Sequence, residues 1–365
     1  MTHDAPARLT GDGIADLRLR LSRRRRSAAL LGGQAAAGIS SAWLESLAAR
    51  WEESYDWSVL DERIQALPWQ LIDGDVPLRV VHQRGPGDAP VILLLHGWPD
   101  SVLRFEKVLT LLTAYTVVAP ALPGFPFSPD AGASGMSAIQ MADAVATAMR
   151  RLGYTRFVVS AGDIGCDVAE ALLRHHPGMV RAAHLTDVSQ IHLAGGVPDD
   201  LSDAERDYVQ RWQAWQDEEA AYSLEQATKP ATLTAALSDS PTGLLAWIAE
   251  KLDRWTDHPG DIDAVFPPDD VLTWVSAYWF TGAIGSSFGP YALRTPPPND
   301  KVPGGVPVVL SVFPGDLVNA PRDFAERIFD VVAFREHAAG GHFAAWEQPS
   351  TYVADLEIAI AAALR

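Results

Sequence analysis

The spacing of hydrophobic residues changes twice along the chain. Residues 1–66 carry apolar side chains at helical spacing and predict a helical arm. From Trp69 the period shortens, and two short runs around the turn at 73–75 predict a β-hairpin. One unbroken apolar run and four similar, largely apolar runs follow, which are typical of strands buried on both faces of a parallel sheet. They occupy residues 91–95, 116–119, 157–160, 182–185 and 308–312.

Helical stretches separate these apolar runs, at residues 102–113, 138–152, 166–176 and 322–329. Strand alternating with helix predicts an α/β fold with a mostly parallel, doubly wound sheet. The alternation stops where the sequence becomes helical and rich in tryptophan, and such an insertion predicts a cap over the carboxyl edge of the sheet, where these folds bind ligands. We therefore predict a helical arm at 1–66, a core at 67–190, a helical cap at 191–299 and the rest of the core at 300–365.

The composition fits a globular protein with a large core. Of the 365 residues, 48% are apolar and 21% are charged. The net charge of −17 argues against nucleic acid as a partner, because phosphate backbones are repelled. The one cysteine, Cys166, leaves no internal disulfide. Because His-Glu-x-x-His and Cys-x-x-Cys spacings are also absent from the sequence, we do not predict a metal site.

One segment imitates an export signal. Four arginines at 23–26 precede an apolar stretch that ends in the small residues 35–37. That stretch is interrupted by Gly32, and Asp12 and Asp16 precede the arginines, which also suit the carboxyl end of a helix. No stretch of the sequence approaches the ~18 apolar residues of a membrane span. We therefore predict a cytoplasmic protein without a membrane anchor.

The first chemical motif is His96-Gly97-Trp98-Pro99, directly after a predicted strand. A glycine there lets the backbone turn sharply and point an amide into a site, as an oxyanion hole requires. Taken alone, the tetrapeptide also fits an ordinary turn.

The second motif is Ala161-Gly162-Asp163-Ile164-Gly165, between a predicted strand and a predicted helix. A nucleophile flanked by small residues is typical of the strained strand-to-helix turn called the nucleophile elbow. Here the nucleophile is a carboxylate, which can attack an sp³ carbon to form an ester that water then cleaves. The alternative is that Asp163 only caps the helix.

A competing motif lies at residues 285–289, where the sequence reads Gly-x-Ser-x-Gly. It follows a helical stretch rather than a strand, and Pro290 comes directly after it. Serine chemistry at Ser287 is therefore disfavoured.

A general base is expected late in the chain. His342 follows Gly340-Gly341 in a loop, whereas its competitor His337 lacks a flexible lead-in. For the acid that orients the base, Asp316 ends one predicted strand and Asp187 follows another. We favour Asp316 because nucleophile, acid, base is the usual chain order.

Together these motifs resemble the epoxide hydrolases of the α/β-hydrolase fold, in particular the microsomal and juvenile-hormone type with an N-terminal arm. The composition suggests a bacterial member, and the sequence lacks the membrane anchor of the microsomal enzymes, so a soluble member is expected. Other stretches that resemble this type are residues 57–72, 120–125, 228–230 and 239–244.

The resemblance implies that Tyr222 and Tyr291 in the cap hold the epoxide oxygen, since a phenol stays protonated at neutral pH. It also implies an aspartyl ester on Asp163, whose carbonyl oxygen meets the amides of Trp98 and Ile164. His342 would then activate water, oriented by Asp316. Tyr208 and Tyr278 are predicted to be packing residues.

The chain departs from the family pattern at the elbow. Ala161 and Ile164 stand where relatives usually have Gly and Trp, and Ile164 removes one aromatic wall beside the nucleophile. The predicted reaction needs no cofactor and converts a bulky apolar or aryl epoxide and water to a vicinal diol, in natural-product biosynthesis or detoxification. The protein is also expected to be able to form a homo-oligomer. The alternatives are a dehalogenase with the same nucleophile and an inactive ligand-binding homologue.

Overall fold

The computed structural model describes residues 4–26, 38–130 and 132–364. Most of the signal-like apolar stretch falls at 27–37 and lies outside the described residues. In the described part, none of the helices has the length and apolar character needed to cross a membrane. The cytoplasmic location stays a prediction.

The centre of the fold is an eight-stranded sheet formed by the described residues, in the order β1-β2-β4-β3-β5-β6-β7-β8. β2 pairs antiparallel with β1 and β4, and all the other pairs are parallel. The predicted α/β-hydrolase fold with a mostly parallel sheet is confirmed. The strands are β1 Trp69–Ile72, β2 Leu78–Gln83, β3 Val91–Leu95, β4 Thr116–Pro120, β5 Phe157–Ala161, β6 Val180–Leu185, β7 Pro307–Val312 and β8 Asp330–Glu336.

Sixteen α-helices are formed by the described residues. The predicted helix at 102–113 is wrong in its extent, because a 3₁₀ turn at Val102–Phe105 precedes a helix of only one turn. The helices are α1 Gly11–Ser22, α2 Ser41–Glu53, α3 Trp57–Ala66, α4 Glu106–Leu109, α5 Ala138–Arg151, α6 Ile164–His175, α7 Ile191–Ala194, α8 Asp203–Glu218, α9 Ala221–Thr228, α10 Pro230–Asp239, α11 Pro241–Trp255, α12 Pro268–Thr281, α13 Gly289–Ala292, α14 Arg322–Ile328, α15 Ala344–Glu347 and α16 Pro349–Ala363.

The N-terminal helices pack against α12, one of the helices between β6 and β7. The Trp51 indole N–H donates to the Ser276 hydroxyl at 3.0 Å, and both side chains are buried. Arg50 also forms a bidentate ion pair with Asp269, in which Nε donates to Oδ1 at 2.6 Å and Nη2 donates to Oδ2 at 2.7 Å. The N-terminal helices therefore hold α12 through a buried hydrogen bond and an ion pair. The division of the chain into arm, core and cap stays a prediction.

A chain of buried hydrogen bonds crosses the sheet below its carboxyl edge. His184 on β6 binds the hydroxyls of Ser160 on β5 at 2.8 Å and of Ser311 on β7 at 2.9 Å. The three side chains are fully buried. Burial lowers the pKa of His184 to about 4, so the folded protein holds this imidazole neutral.

We expect this histidine to make stability depend on pH. Its folded pKa lies below the unfolded value of about 6.5, so the unfolded state binds a proton first and stability falls as pH drops from about 6.5 towards 4. The stability lost is about 1.4 kcal/mol per pH unit in that window. Urea unfolding measures the free energy of unfolding of wild type and of His184→Gln. The difference between the two values should become about 2 kcal/mol smaller when the pH falls from 7 to 5. A difference independent of pH would contradict the assignment.

Candidate active site

The parallel strands bring the predicted site residues to one edge. Gly97, Asp163, Asp187 and Asp316 follow β3, β5, β6 and β7, which are neighbours in the sheet, and His342 follows β8. The carboxyl ends of parallel strands lie on the same edge, so these residues converge although they are far apart in sequence.

Asp163 occupies a strained turn between β5 and α6. Its backbone has φ 56° and ψ −134°, a conformation that a residue with a side chain rarely adopts. Glycines allow the close approaches that this turn needs. A Cβ on Gly97 would lie 2.3 Å from Asp163 Oδ1, and one on Gly165 would lie 2.4 Å from the Leu95 carbonyl. The Asp163 side chain emerges above the sheet with 12% of its surface exposed.

Two backbone amides act on the Asp163 carboxylate. The Trp98 N–H donates to Oδ1 at 2.7 Å, and the neighbouring Ile164 amide lowers the pKa of the carboxyl group. Burial raises the pKa of Asp163, and His342 and the two amides oppose that rise. His96 lies beneath the loop, where its Nε2 accepts the Leu122 N–H at 3.1 Å, and the Trp98–Pro99 peptide bond is cis.

His342 is bound on one side and free on the other. Its Nδ1 lies 2.8 Å from Asp316 Oδ1, so the ring donates to this carboxylate. Its Nε2 lies 3.7 Å from Asp163 Oδ2 and has no hydrogen-bond partner among the described residues. The side chains of His342 and Asp316 are 3% and 6% exposed. Because no described residue binds Nε2, this nitrogen can take a proton from a water once the ring is neutral.

The charges around His342 determine its protonation. Burial would lower its pKa, but Asp316 and Asp163 together raise it to about 9. At neutral pH the resting ring is therefore an imidazolium beside two carboxylates. Asp187 is the rival for the orienting acid, and it accepts the Asp163 backbone N–H at 3.2 Å. Asp316, not Asp187, makes the contact with the His342 ring.

Two tyrosines from the helices between β6 and β7 face the loop after β3. Tyr222 stacks on Trp98 with ring centroids 5.3 Å apart, and Tyr291 meets the same indole edge-on at 6.0 Å. Both side chains are buried. Burial and the nearby Asp163 charge raise the pKa of both phenols, so they stay protonated donors.

A cavity of about 120 Å³ opens above Asp163. Tyr222 and Tyr291 line it together with Ile164, and so do Trp212 and Trp215. Polar groups occupy another part of its wall, namely Asp167, Asp187, Ser189, Gln190, Gln216, Ser223 and Arg294. The carboxylate, the two phenols and an apolar wall therefore share one space.

Comparisons with known proteins agree with this geometry. A family model described as the epoxide hydrolase N terminus matches residues 5–105, and one for the alpha/beta hydrolase fold matches residues 90–243. A protein of Stigmatella aurantiaca whose name assigns it to the epoxide hydrolases is 35% identical over 338 residues, which span 87% of this chain and 76% of that protein. The chain belongs to the epoxide hydrolase family.

Solved structures of this family match almost the whole chain. The Aspergillus niger epoxide hydrolase is 28% identical with a TM-score of 0.87, covering 99% of this chain and 96% of its own. The juvenile hormone epoxide hydrolase of Bombyx mori is 27% identical with a TM-score of 0.85, covering 99% and 94%. The predicted resemblance to the microsomal and juvenile-hormone type is confirmed, and this family member is a hydrolase.

The competing candidates lie elsewhere in this family member. His337 Nε2 binds Asp355 at 2.6 Å. Ser287 is fully buried in a 3₁₀ turn, and its hydroxyl donates to the Ile284 carbonyl at 2.8 Å. Tyr208 packs against Phe324 with ring centroids 5.1 Å apart.

Three charged residues near the site were not identified from the sequence. Lys251 on α11 lies 4.9 Å from the Tyr222 ring centroid, a cation–π distance, and is nearly buried. Asp100 and Arg104 form a buried ion pair beneath the loop after β3. The spacing of four residues between Asp100 and Arg104 indicates that they can form an ion pair. It does not indicate burial, because the same spacing is common in exposed pairs on helices.

Proposed function

We propose that this family member opens an epoxide through a covalent ester on Asp163 and then hydrolyses that ester with water activated by His342. The observation that carries the proposal is that the two oxygens of the Asp163 carboxylate have different neighbours. Oδ1 lies against the Trp98 amide, whereas Oδ2 faces His342 Nε2 across 3.7 Å. One oxygen is therefore held by an oxyanion hole, and the other is free to attack.

In the first step, Asp163 Oδ2 forms a bond to an epoxide carbon as the ring C–O bond breaks. The developing alkoxide takes a proton from Tyr222 or Tyr291, whose raised pKa values keep them protonated until that moment. The His342 imidazolium then returns a proton to the tyrosinate. The loss of the Asp163 charge favours this transfer, because that charge helps to raise the pKa of His342 to about 9.

In the second step, neutral His342 takes a proton from water as the water oxygen adds to Asp163 Cγ. Negative charge develops on Oδ1, where the amides of Trp98 and Ile164 stabilise it. Collapse of the tetrahedral intermediate breaks the Cγ–Oδ2 bond, and the leaving alkoxide takes a proton from the His342 imidazolium. The newly formed carboxylic acid of Asp163 returns a proton to His342, and the diol leaves with the former Asp163 oxygen. The cycle ends with an ionised Asp163 and an imidazolium at His342, as it began.

The proposed substrate is a bulky apolar or aryl epoxide, supported by the indole rings of Trp212 and Trp215 in the cavity wall. A dehalogenase is the closest alternative in chemistry. The two buried phenols beside Trp98 favour an epoxide, because they can protonate an alkoxide, which a departing halide does not require. Chloride release from 1-chlorobutane should therefore be undetectable.

A single turnover in ¹⁸O water tests the covalent step. With enzyme in excess over styrene oxide, the first diol should carry no solvent oxygen, and peptide mapping should find ¹⁸O on Asp163. Asp163→Asn should form no diol on the same timescale, because an amide is a poor nucleophile. The exposed Asp143→Asn variant serves as the control and should match wild type. Solvent oxygen in the first diol would show that water attacks the epoxide directly.

A further inference from the structure

We propose that the buried ion pair of Asp100 and Arg104 is a positioning element that fixes the oxyanion loop (residues 96–99) relative to the base loop (residues 340–343) for the ester-hydrolysis step. The inference rests on the proposed two-step function and adds two residues to it. The oxyanion loop carries the Trp98 amide, and the base loop carries His342.

Asp100 fixes the oxyanion loop from below. Its Oδ1 accepts the Gly97 N–H at 2.8 Å, next to the Trp98 amide that donates to Asp163. Its backbone carbonyl accepts the Tyr278 hydroxyl at 3.0 Å. The Asp100 side chain is fully buried. The carboxylate therefore determines where the Trp98 N–H points.

Arg104 connects Asp100 to the base loop. One guanidinium nitrogen, Nη1, donates to Asp100 Oδ2 at 2.6 Å, and the other, Nη2, donates to the His342 backbone carbonyl at 2.9 Å. A Cβ on Gly162 would lie 3.3 Å from Nη2, so the guanidinium also packs beneath the elbow. With 1% of its side chain exposed, Arg104 is rigidly held between three loops.

The pair also balances the charge of the site. The charges of Asp100 and Asp163 raise the pKa of Arg104, and the charge of Arg104 in turn lowers the pKa of His342. Burial alone would raise the pKa of Asp100, but the charge of Arg104 opposes that effect, and the pKa is lowered overall. The Asp100 carboxylate therefore stays ionised. Leaving either charge alone in this interior would be costly.

The two half-reactions need this connection to different degrees. Ring opening uses Asp163 and the tyrosines, and the base loop is not the attacking group. Hydrolysis requires the water on His342 and the oxyanion on the Trp98 amide to be aligned at the same moment. A shift of about 1 Å between catalytic groups can cost about 100-fold in rate. The loss of Arg104 should therefore slow hydrolysis much more than alkylation.

The test separates the two steps by rapid-quench mass spectrometry with styrene oxide. In Asp100→Asn/Arg104→Gln, the asparagine oxygen can still accept the Gly97 N–H, but glutamine is too short to reach the His342 carbonyl. We expect ester hydrolysis to slow about 100-fold, alkylation to change less than threefold, and the ester to accumulate at steady state. Arg104→Lys, which keeps the charge but cannot bridge both partners, should slow hydrolysis about tenfold.

The matched control is Glu170→Gln/Arg174→Gln, a second and partly buried pair with the same spacing, joined at 2.7 Å on α6. It should leave both half-reactions unchanged. Equal slowing of both steps in Arg104→Lys, or no slowing of hydrolysis in either Arg104 variant, would overturn the proposal. If wild type itself forms no ester, the proposed function fails, and that result is obtained before any variant is compared.

Discussion

His342→Gln is expected to become alkylated by an epoxide and then to stall. The variant keeps Asp163 in its oxyanion hole and both phenols in place, so ring opening continues. Without a general base, hydrolysis of the ester should slow by about 10²- to 10⁴-fold. Intact mass after mixing with styrene oxide should show the protein heavier by one whole epoxide, and peptide mapping should place the adduct on Asp163.

Two variants control this result. Asp163→Ala should stay unmodified under the same conditions. His337→Gln removes the competing histidine, which binds Asp355 and not Asp163, and should turn over as wild type does. If His342→Gln stays unlabelled while wild type places solvent oxygen in the first diol, Asp163 acts as a base and not as a nucleophile.

The strands that the sequence predicts best are those buried on both faces. β3, β4 and β5 are largely apolar runs in which nearly every residue is buried, and burial of that kind leaves a clear pattern. β8 is not predicted because it forms one edge of the sheet and its residues are only partly buried or exposed. Its sequence, which ends in Phe334, Arg335 and Glu336, does not have the period of a buried strand.

The candidate site is predictable where chemistry is local in sequence. The turn at Asp163 can be predicted from its flanking glycines, within five residues. The turn of the oxyanion loop can likewise be predicted from the tetrapeptide before Asp100. The choice between Asp187 and Asp316 could not be made from local sequence, because both follow neighbouring strands at the same edge. It depends on which carboxylate meets the imidazole, and that contact joins residues 26 positions apart.

The buried ion pair illustrates what local patterns cannot reveal. Asp100 and Arg104 have the spacing of a pair on a helix surface, yet a 3₁₀ turn places them inside the protein. Their partners, Gly97, Tyr278 and the His342 carbonyl, come from three separate parts of the chain. Tertiary packing brings Tyr278 and the His342 carbonyl to this pair.

Tyr222→Phe and Tyr291→Phe should each slow ring opening without unfolding the protein. Each change removes one hydrogen-bond donor to charge that develops in the transition state, in a buried space where such donors act strongly. Loss of one comparable donor costs about 2.7–4 kcal/mol, or about 10²- to 10³-fold in rate. The rate of ester formation in a single turnover measures the effect, and the double variant should be slower than either single one.

The matched control is Tyr208→Phe, a fully buried tyrosine whose hydroxyl has no hydrogen-bond partner among the described residues and whose ring packs on Phe324. It should form the ester at the wild-type rate. Because the phenols act before the ester exists, ester already formed on Tyr222→Phe should hydrolyse nearly as fast as on wild type. Near-normal alkylation in the double variant would mean that another group protonates the epoxide oxygen, and Lys251, beside the Tyr222 ring, would be the residue to replace next.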